Sequence, residues 1–194
     1  MTRIDRVEVY DLKQSIVSCR NAMAIEPIEF NDAEFKKALE RAKKLVKAAK
    51  ISSGHANFRT GIRVSFDLTY TQYFTKQLQR YHWIDYVSSS SMMHRIQKMD
   101  FTKCCNKYVD SRVIGIIEEL KANYNNSKSY EDFMKLISNC PMGAELFVRV
   151  STNYEQLATI YEQRKNHKLK EDWGAVMNMI NCLPCSYLIT GEGL

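Results

Sequence analysis

The chain has 194 residues, of which 45% are hydrophobic and 26% are charged, and its formal net charge is +6. This length and composition fit one soluble globular domain with its own hydrophobic core. No apolar run reaches the roughly 18 residues needed to cross a bilayer, and no signal-peptide pattern is present, so we expect a cytoplasmic protein without a membrane partner. The modest positive charge favours anionic ligands in general but does not specify nucleic acid.

The six cysteines are most simply reduced thiols in an intracellular chain. Cys182 and Cys185 have the two-residue spacing of a zinc knuckle or a redox pair. Adjacent Cys104 and Cys105 are badly spaced to complete a zinc site, and no thioredoxin-like unit surrounds the pair. The histidines lack the H-E-x-x-H spacing of a catalytic zinc helix, so the sequence predicts no metal site.

Hydrophobic periodicity predicts few strands among many helices. Strands are predicted at residues 6–12, 62–70 and 146–150, and residues 96–105 are ambiguous. Helices are predicted at residues 15–23, 31–49, 73–81, 108–124, 130–137, 153–164 and 170–181. A turn is expected at Ser52–Gly54, a break at Asn125–Ser127, and a mobile tail at residues 186–194. Without regular βαβ alternation, this order indicates a single α+β domain over residues 1–194.

The helix after Asn31 has the clearest signals. Asn31 can cap it, and Glu34 stands three residues later, as in a capping box. Apolar side chains line one face and lysines the other, so we expect the apolar face to lie on the strand that follows Gly54. The lysine-rich face between Lys36 and Lys50 is either a solvated surface or a nucleic-acid contact.

Residues 54–95 combine a strand, a helix and a segment rich in Arg, His and Ser, which ends in a polar loop containing Ser88–Ser91. Such groups suit a phosphorylated ligand, or they form only a buried junction followed by a polar loop. A serine nucleophile would need His82 or His94 as its base, and no G-x-S-x-G elbow supports that interpretation. Arg164 could grip a planar imide or a phosphate, or be a surface arginine at a helix C-terminus.

Two blocks of residues resemble the flavin-dependent (alternative) thymidylate synthases. Gly54-His55, followed at matching distance by Phe66, Gln77 and Arg80, is similar to that family's Gly-His, strand and Gln-x-x-Arg-His-Arg series. The later block is similar to the family's Leu-Pro, strand, Asn-x-Arg and helix-borne arginine, and it comprises Pro141, a strand, Asn153 and Arg164. The resemblance covers most of the chain in architecture, but only these two blocks in motif.

The family signature Arg-His-Arg-x-x-Ser-x-Asn-Glu-x-Ser-x-Arg-Tyr is degraded here. In residues 80–93 only Arg80 and Ser90 match it, while Tyr81 and His82 replace its His and second Arg. Met92 stands where the phosphate-binding arginine belongs. Arg95, one helical turn further on, is the residue that could reach the same place. The chain is therefore similar to a divergent, phage-type branch.

The resemblance implies a flavin-dependent thymidylate synthase-like fold, with a small antiparallel-rich sheet packed against several helices. It also implies methylation of deoxyuridine monophosphate, with methylenetetrahydrofolate as carbon donor, reduced FAD as hydride donor and NADPH to reduce the flavin. Sites shared between the subunits of a homotetramer are implied as well. By position, the substrate would be bound by Gln77, Arg80, Ser90, Arg95 and the catalytic Arg164, and the FAD by His55, Arg80, His82 and Asn153.

Two alternatives stay open at this point. The first is a homologue that binds a nucleotide or flavin without the ancestral chemistry, or with an altered substrate. The second is a basic nucleic-acid-binding protein that uses residues 36–50 together with Tyr and Trp side chains for stacking. The resemblance makes nucleic acid the less favoured partner.

Overall fold

The computed structural model describes residues 2–49 and 54–194, so Lys50 and most of the turn expected at Ser52–Gly54 lie outside the described residues. Within the described residues, four antiparallel strands form one sheet in the order β1-β2-β4-β3. The strands are β1 (Arg3–Tyr10), β2 (Arg63–Thr71), β3 (Asp85–Ser89) and β4 (Glu145–Asn153).

Helices make up most of the rest of the described chain, which confirms the α+β class. In the described chain they are α1 (Leu12–Ser18), α2 (Asp32–Ala48), α3 (Phe58–Gly61), α4 (Gln72–Leu78), α5 (Met92–Arg95), α6 (Phe101–Cys104), α7 (Ser111–Ser127), α8 (Tyr130–Ser138), α9 (Tyr154–Arg164), α10 (Lys170–Cys182) and α11 (Tyr187–Thr190). Short 3-10 turns occur at Asn21–Met23 and Ile96–Lys98. None of these helices is both long and apolar enough to cross a membrane.

The two central strands carry the main core. β2 and β4 pair along their whole lengths, from Arg63 opposite Asn153 to Thr71 opposite Glu145. The predicted alternation is confirmed, because every second side chain of β2 is buried on the helical side of the sheet. Burial of each such aliphatic or aromatic side chain contributes about 1.5–3 kcal/mol. The same core includes Phe74 of α4, Tyr154 of α9 and Trp173 of α10.

A second, smaller core lies under the α7–α8 hairpin. The ambiguous segment at residues 96–105 forms short helical turns, whose Ile96 and Phe101 are fully buried against Ile117 of α7 and Leu136 of α8. α7 itself continues through residues 125–127, where a break was expected, and its C-cap is Lys128 in the left-handed conformation. Asparagine disfavours a helix only weakly, so the packing of α7 outweighs this preference.

The capped helix α2 is confirmed, but its predicted packing partner was wrong. The Asn31 side chain accepts a hydrogen bond from the Glu34 backbone N–H at 2.9 Å, as a helix N-cap does. The Glu34 carboxylate does not complete the capping box, because it pairs with Arg20 and Lys37. α2 packs mainly on α1 rather than on β2, the strand after Gly54. The buried apolar side chains of both helices belong to the main core.

Two polar segments are more ordered than their composition suggests. The start of the expected serine loop belongs to β3, which pairs with the free edge of β4, with Ser89 opposite Val148. The unpaired backbone groups of that edge strand favour such an addition over the preference of serine for loops. The tail expected to be mobile forms α11, whose Leu188 and Ile189 are buried against α9.

Candidate functional site

A hollow of about 430 Å³ lies between the loop that precedes β3 and one side of α9. Its volume falls in the range of about 300–1,000 Å³ that is usual for small-molecule sites. The residues lining it are mostly polar, and include two arginines and a histidine. They are Arg80, Tyr81, His82, Trp83, Glu155, Gln156, Thr159, Gln163 and Arg164.

The loop on one wall of the hollow is fixed at both its side chains and its backbone. Tyr81 and Ile84 are buried, so they anchor the segment between α4 and β3 in the main core. The Trp83 backbone N–H donates to the Gln156 side-chain oxygen at 3.2 Å. The Trp83 carbonyl accepts from the Thr152 hydroxyl at 2.7 Å. These bonds tie the loop to the β4–α9 junction.

The opposite wall of the hollow is formed by α9, and an N-cap fixes the first turn of this helix. The Asn153 side-chain oxygen accepts from the Gln156 N–H at 2.8 Å, so Asn153 is the N-cap, where the sequence allowed either Thr152 or Asn153. The 11 residues of α9 then place Arg164 about 16 Å along the helix axis, in its last turn. Positive charge is favoured there by the helix dipole.

Arg164 is held in one orientation by two aromatic residues. Its Nε donates to the Tyr81 hydroxyl at 2.6 Å. Its guanidinium carbon lies 5.6 Å from the centroid of the Tyr81 ring and 5.1 Å from that of Trp173. No carboxylate pairs with it in the parts of the chain that the structure describes. Because the Nε is already bonded, the two Nη groups are available for a planar or bidentate ligand.

The electrostatics of the hollow favour an anion. Arg80 and His82 are exposed, and neither has an ion-pair or hydrogen-bond partner among residues 2–49 and 54–194. The carboxylate of Glu155 also lines the hollow, but the buried Arg59 already pairs with it at 2.6 Å. The basic groups of the hollow therefore exceed the acidic groups that could neutralise them, which would stabilise a phosphate or an ionised imide.

The environment of His167 reports the same positive charge. Burial is the larger cause that lowers the pKa of His167, and the charges of Arg164 and Lys168 lower this pKa further. The His167 Nδ1 also accepts a hydrogen bond from the Leu169 N–H at 3.1 Å, which requires the unprotonated nitrogen. His167 is therefore a neutral neighbour of Arg164 that adds no charge to the site at pH 7.

Arg95 and Ser90 lie outside the hollow that Arg80 and Arg164 line. Arg95 lines a second hollow of about 600 Å³, beside Phe147, Lys98 and other residues. Its guanidinium carbon is 5.0 Å from the Phe147 ring centroid, and its Nη1 is buried without a hydrogen-bond partner within the described structure. Ser90 exchanges two hydrogen bonds with the Phe147 backbone, so it extends the β3–β4 pairing next to this hollow.

The remaining predicted residues do not join the first hollow within one chain. His55 lines a third hollow of about 400 Å³, between α1 and the segment around α3. Gln77 is partly exposed on α4 and is not among the residues that line the hollow of Arg80 and Arg164. Asn153 is buried, with 3% of its surface exposed, and its side chain serves the α9 cap.

Three aromatic residues of this site were missed as functional residues. Tyr81 was noted only as a residue of the predicted helix that replaces the family's histidine, and the two tryptophans, Trp83 and Trp173, were considered only for stacking on nucleic acid. The one available signal was the pair of aromatic residues within the Arg80–Trp83 run, next to two basic side chains. The described residues contain no group of three or more His, Cys, Asp or Glu side chains that could hold a metal ion.

The lysine-rich face of α2 is partly neutralised along the helix. Lys37 pairs with Glu34 at 2.8 Å, and Lys43 pairs with Glu40 at 2.7 Å, each three residues apart. Exposed pairs of this kind contribute little to stability, but they reduce the charge that a polyanion would meet.

The fold of this chain also occurs in solved structures of thymidylate synthases and of a UMP/dUMP methylase. The flavin-dependent thymidylate synthase ThyX from Helicobacter pylori, complexed with FAD and dUMP, superposes with a TM-score of 0.76 at 13% identity, over 97% of this chain and 98% of that chain. A second structure of ThyX from that organism with FAD and dUMP gives a TM-score of 0.69 at 13% identity, over 98% of each chain.

The UMP/dUMP methylase PolB from Streptomyces cacaoi, bound with 5-Br dUMP, gives a TM-score of 0.67 at 11% identity, over 93% of this chain and 89% of that chain. Neither a protein-family model nor a curated protein matches the chain. The chain therefore has the flavin-dependent thymidylate synthase fold, as the sequence resemblance predicted.

Proposed function

We propose that the protein binds a uridine-type nucleotide such as deoxyuridine monophosphate and methylates its pyrimidine ring, with FAD as cofactor. The observation that carries this proposal is the fixed guanidinium of Arg164, which lines one cationic hollow together with Arg80. The solved structures that share the fold were crystallised with dUMP, with 5-Br dUMP and with FAD, which supports the same ligand class here.

Arg164 has the chemistry to stabilise the ionised uracil ring. A uracil that loses its N3 proton, or gains charge at its carbonyl oxygens, presents a planar edge to which a guanidinium can donate two hydrogen bonds. The Tyr81 hydroxyl at 2.6 Å and the Trp173 ring fix the orientation of Arg164 before the ligand arrives. Preorganised donors are worth more than flexible ones because they need no reorganisation when charge develops.

FAD would supply the hydride that converts the transferred carbon into a methyl group, and the residues present fit its phosphates in part. Arg80 and His82 line the hollow without partners among the described residues, so they fit as ligands of the FAD pyrophosphate. Asn153 fits less well, because it is buried and its oxygen caps α9. His55 lies at another hollow, so its contact with FAD would require a second chain.

A site shared between two chains would also bring together the two groups of substrate-binding residues, which line separate hollows within one chain. Within one chain Arg80 and Arg164 line one hollow, whereas Arg95 lines another. Since the resemblance assigns all of them to one nucleotide, we propose a homo-oligomer, a homotetramer by that resemblance, in which different chains complete each site. Methylenetetrahydrofolate and NADPH would be the further substrates. Light scattering coupled to size-exclusion chromatography measures the oligomeric mass, and a monomer with full nucleotide affinity would contradict the shared site.

The decisive experiment measures flavin content and nucleotide affinity of the purified protein. We expect a flavin absorption spectrum and calorimetric binding of dUMP. Arg164→Ala should weaken dUMP binding about 10- to 150-fold, because a hydrogen bond to a charged group contributes about 1.5–3 kcal/mol. Arg112→Ala is the matched control, since Arg112 is an exposed arginine that pairs only with Asp110 among the described residues. Equal dUMP affinity of the two variants would refute the role of Arg164.

A second candidate function is nucleotide or flavin binding without methylation. It is favoured by Met92, which stands where the family's phosphate-binding arginine belongs, while Arg95 lies at the second hollow. Growth of a thymidine-requiring bacterial strain that expresses the chain separates the two. Growth without thymidine supports the methylase, and bound flavin or dUMP without growth supports the binding protein.

A further inference from the structure

Trp83 is the large aromatic residue at the edge of the candidate site. Its surface is 63% exposed, whereas Trp173, the other tryptophan of the chain, is 1% exposed and packs beneath Arg164. A tryptophan side chain carries one of the largest apolar surfaces in proteins, so leaving it in water forgoes much stabilisation. The exposure of Trp83 therefore calls for a partner.

The exposure does not reflect a loosely attached loop. The Trp83 N–H donates to Gln156 at 3.2 Å and its carbonyl accepts from Thr152 at 2.7 Å, and both of these residues are buried. The neighbouring Ile84 is also buried. The backbone is thus fixed on each side of an indole that remains in solvent, which is the arrangement of a preorganised contact surface.

We propose that Trp83 is the stacking platform of this hollow, and that the ligand it receives is a planar heteroaromatic ring carrying a phosphate. This inference rests on the proposed function, and it adds to that function the residue that recognises the ring. Trp83 shares the lining of the hollow with Arg80 and His82, neither of which has a partner among the described residues. Aromatic side chains beside cationic ones bind nucleotides by combining ring stacking with phosphate contacts. The proposed function supplies two such ligands that the test separates, a pyrimidine nucleotide and the flavin nucleotide part of FAD.

The test compares Trp83→Ala and Trp83→Phe with the unchanged protein by calorimetry, with dUMP, FMN and inorganic pyrophosphate as separate ligands. Stacking is worth about 1–3 kcal/mol per base, so Trp83→Ala should weaken binding of the stacked nucleotide about 5- to 150-fold. Trp83→Phe should recover most of this loss, because phenylalanine keeps an aromatic face. Pyrophosphate affinity should change less than about twofold in both variants, since pyrophosphate has no ring to stack.

Comparison of the dUMP and FMN titrations identifies the ring that stacks on Trp83. A loss confined to dUMP places the pyrimidine on Trp83, and a loss confined to FMN places the isoalloxazine there. Either result supports the inference, and so does a loss in both. Quenching of tryptophan fluorescence by dUMP should largely disappear in Trp83→Phe, because the remaining Trp173 is buried.

Other outcomes overturn the inference. If Trp83→Ala binds both nucleotides like the unchanged protein, Trp83 stacks neither ring, although the proposed function stands. If Trp83→Ala loses pyrophosphate affinity to the same extent, Trp83 shapes the loop instead of contacting a ring. A lower oligomeric mass with unchanged affinities identifies Trp83 as an interface residue. If the unchanged protein binds neither dUMP nor FMN, the proposed function itself fails.

Discussion

Replacement of Tyr81 by phenylalanine tests how Arg164 is held in position. Tyr81 is 8% exposed, and its hydroxyl accepts from Arg164 Nε at 2.6 Å and donates to the Gln163 side-chain oxygen at 3.2 Å. The substitution deletes this one oxygen and keeps the ring on which the guanidinium lies. The fold should therefore survive, while Arg164 loses the bond that fixes its Nε.

The expected magnitude follows from the freedom that Arg164 gains. A ligand that must immobilise a rotamer-rich side chain loses about 0.5–1.5 kcal/mol of binding free energy, so dUMP affinity should fall about 2- to 13-fold in Tyr81→Phe. The free energy of unfolding should also fall by about 1–3 kcal/mol, because the two hydrogen bonds of the Tyr81 hydroxyl are lost. Arg164→Ala should have the larger effect on affinity, since it removes the guanidinium itself.

Tyr161→Phe is the matched control for this variant. Tyr161 lies on α9, is 7% exposed, and donates a 2.6 Å hydrogen bond to the Glu192 carboxylate instead of bonding to Arg164. Calorimetry with dUMP and urea denaturation should show similar losses of stability in the two phenylalanine variants, but a loss of affinity only in Tyr81→Phe. Equal dUMP affinities in the two variants would show that Tyr81 does not position Arg164.

Three further predictions concern the buried framework and the charge of the site. Arg59→Ala should lower the free energy of unfolding, measured in urea, by about 3–5 kcal/mol, because it leaves the partly buried Glu155 without its partner at 2.6 Å. Asn153→Ala should cost about 1 kcal/mol through loss of the α9 cap, whereas Asn153→Ser should keep both cap and stability. His167 should titrate below its ordinary pKa of about 6.5 in NMR, and Arg164→Ala should raise that pKa.

The sign of the His167 effect on stability follows from its lowered pKa. The unfolded chain binds a proton at His167 more readily, so neutral His167 contributes stability that is present above about pH 6.5. This contribution is lost as the pH falls through the lower pKa of the folded state. A His167 pKa above 6.5 that does not respond to Arg164→Ala would contradict the electrostatic description of the hollow.

Two surface residues serve as controls, Arg112 for the Arg59→Ala variant and Asn31 for the Asn153→Ala variant. Arg112→Ala breaks an exposed pair with Asp110 and should lower the free energy of unfolding only slightly. A loss as small in Arg59→Ala would mean that solvent replaces the ion pair there. Asn31→Ala removes the exposed cap of α2, so it measures what a cap is worth outside the core. If Asn153→Ser remains stable yet loses flavin, Asn153 has the cofactor role that the resemblance implies.

Local sequence patterns were sufficient for much of the framework of the site. The alternation of residues 62–70 predicted β2, and the periodicity after Thr152 and Asn153, either of which could be the cap, predicted a helix ending near Arg164. Motif spacing associated Arg80 with Arg164, and the structure places both on one hollow. These inferences succeeded because they depend on short-range periodicity or on conserved distances along the chain. The same spacing did not bring Gln77 into that hollow, since the direction of an α4 side chain depends on packing that spacing does not encode.

Periodicity and motif spacing were enough to predict the α+β class, the central strands, the helix α9 and the basic residues Arg80 and Arg164. Three features could be read only from the folded chain: Tyr81 turns inward to hold Arg164, Trp83 stays in solvent, and Arg95 lies at another hollow. The serine-rich strand β3 and the buried helix α11 were likewise decided by contacts with distant parts of the chain. The physical reason is that the orientation and exposure of a side chain depend on neighbours far away in sequence, whereas periodicity records only its immediate surroundings.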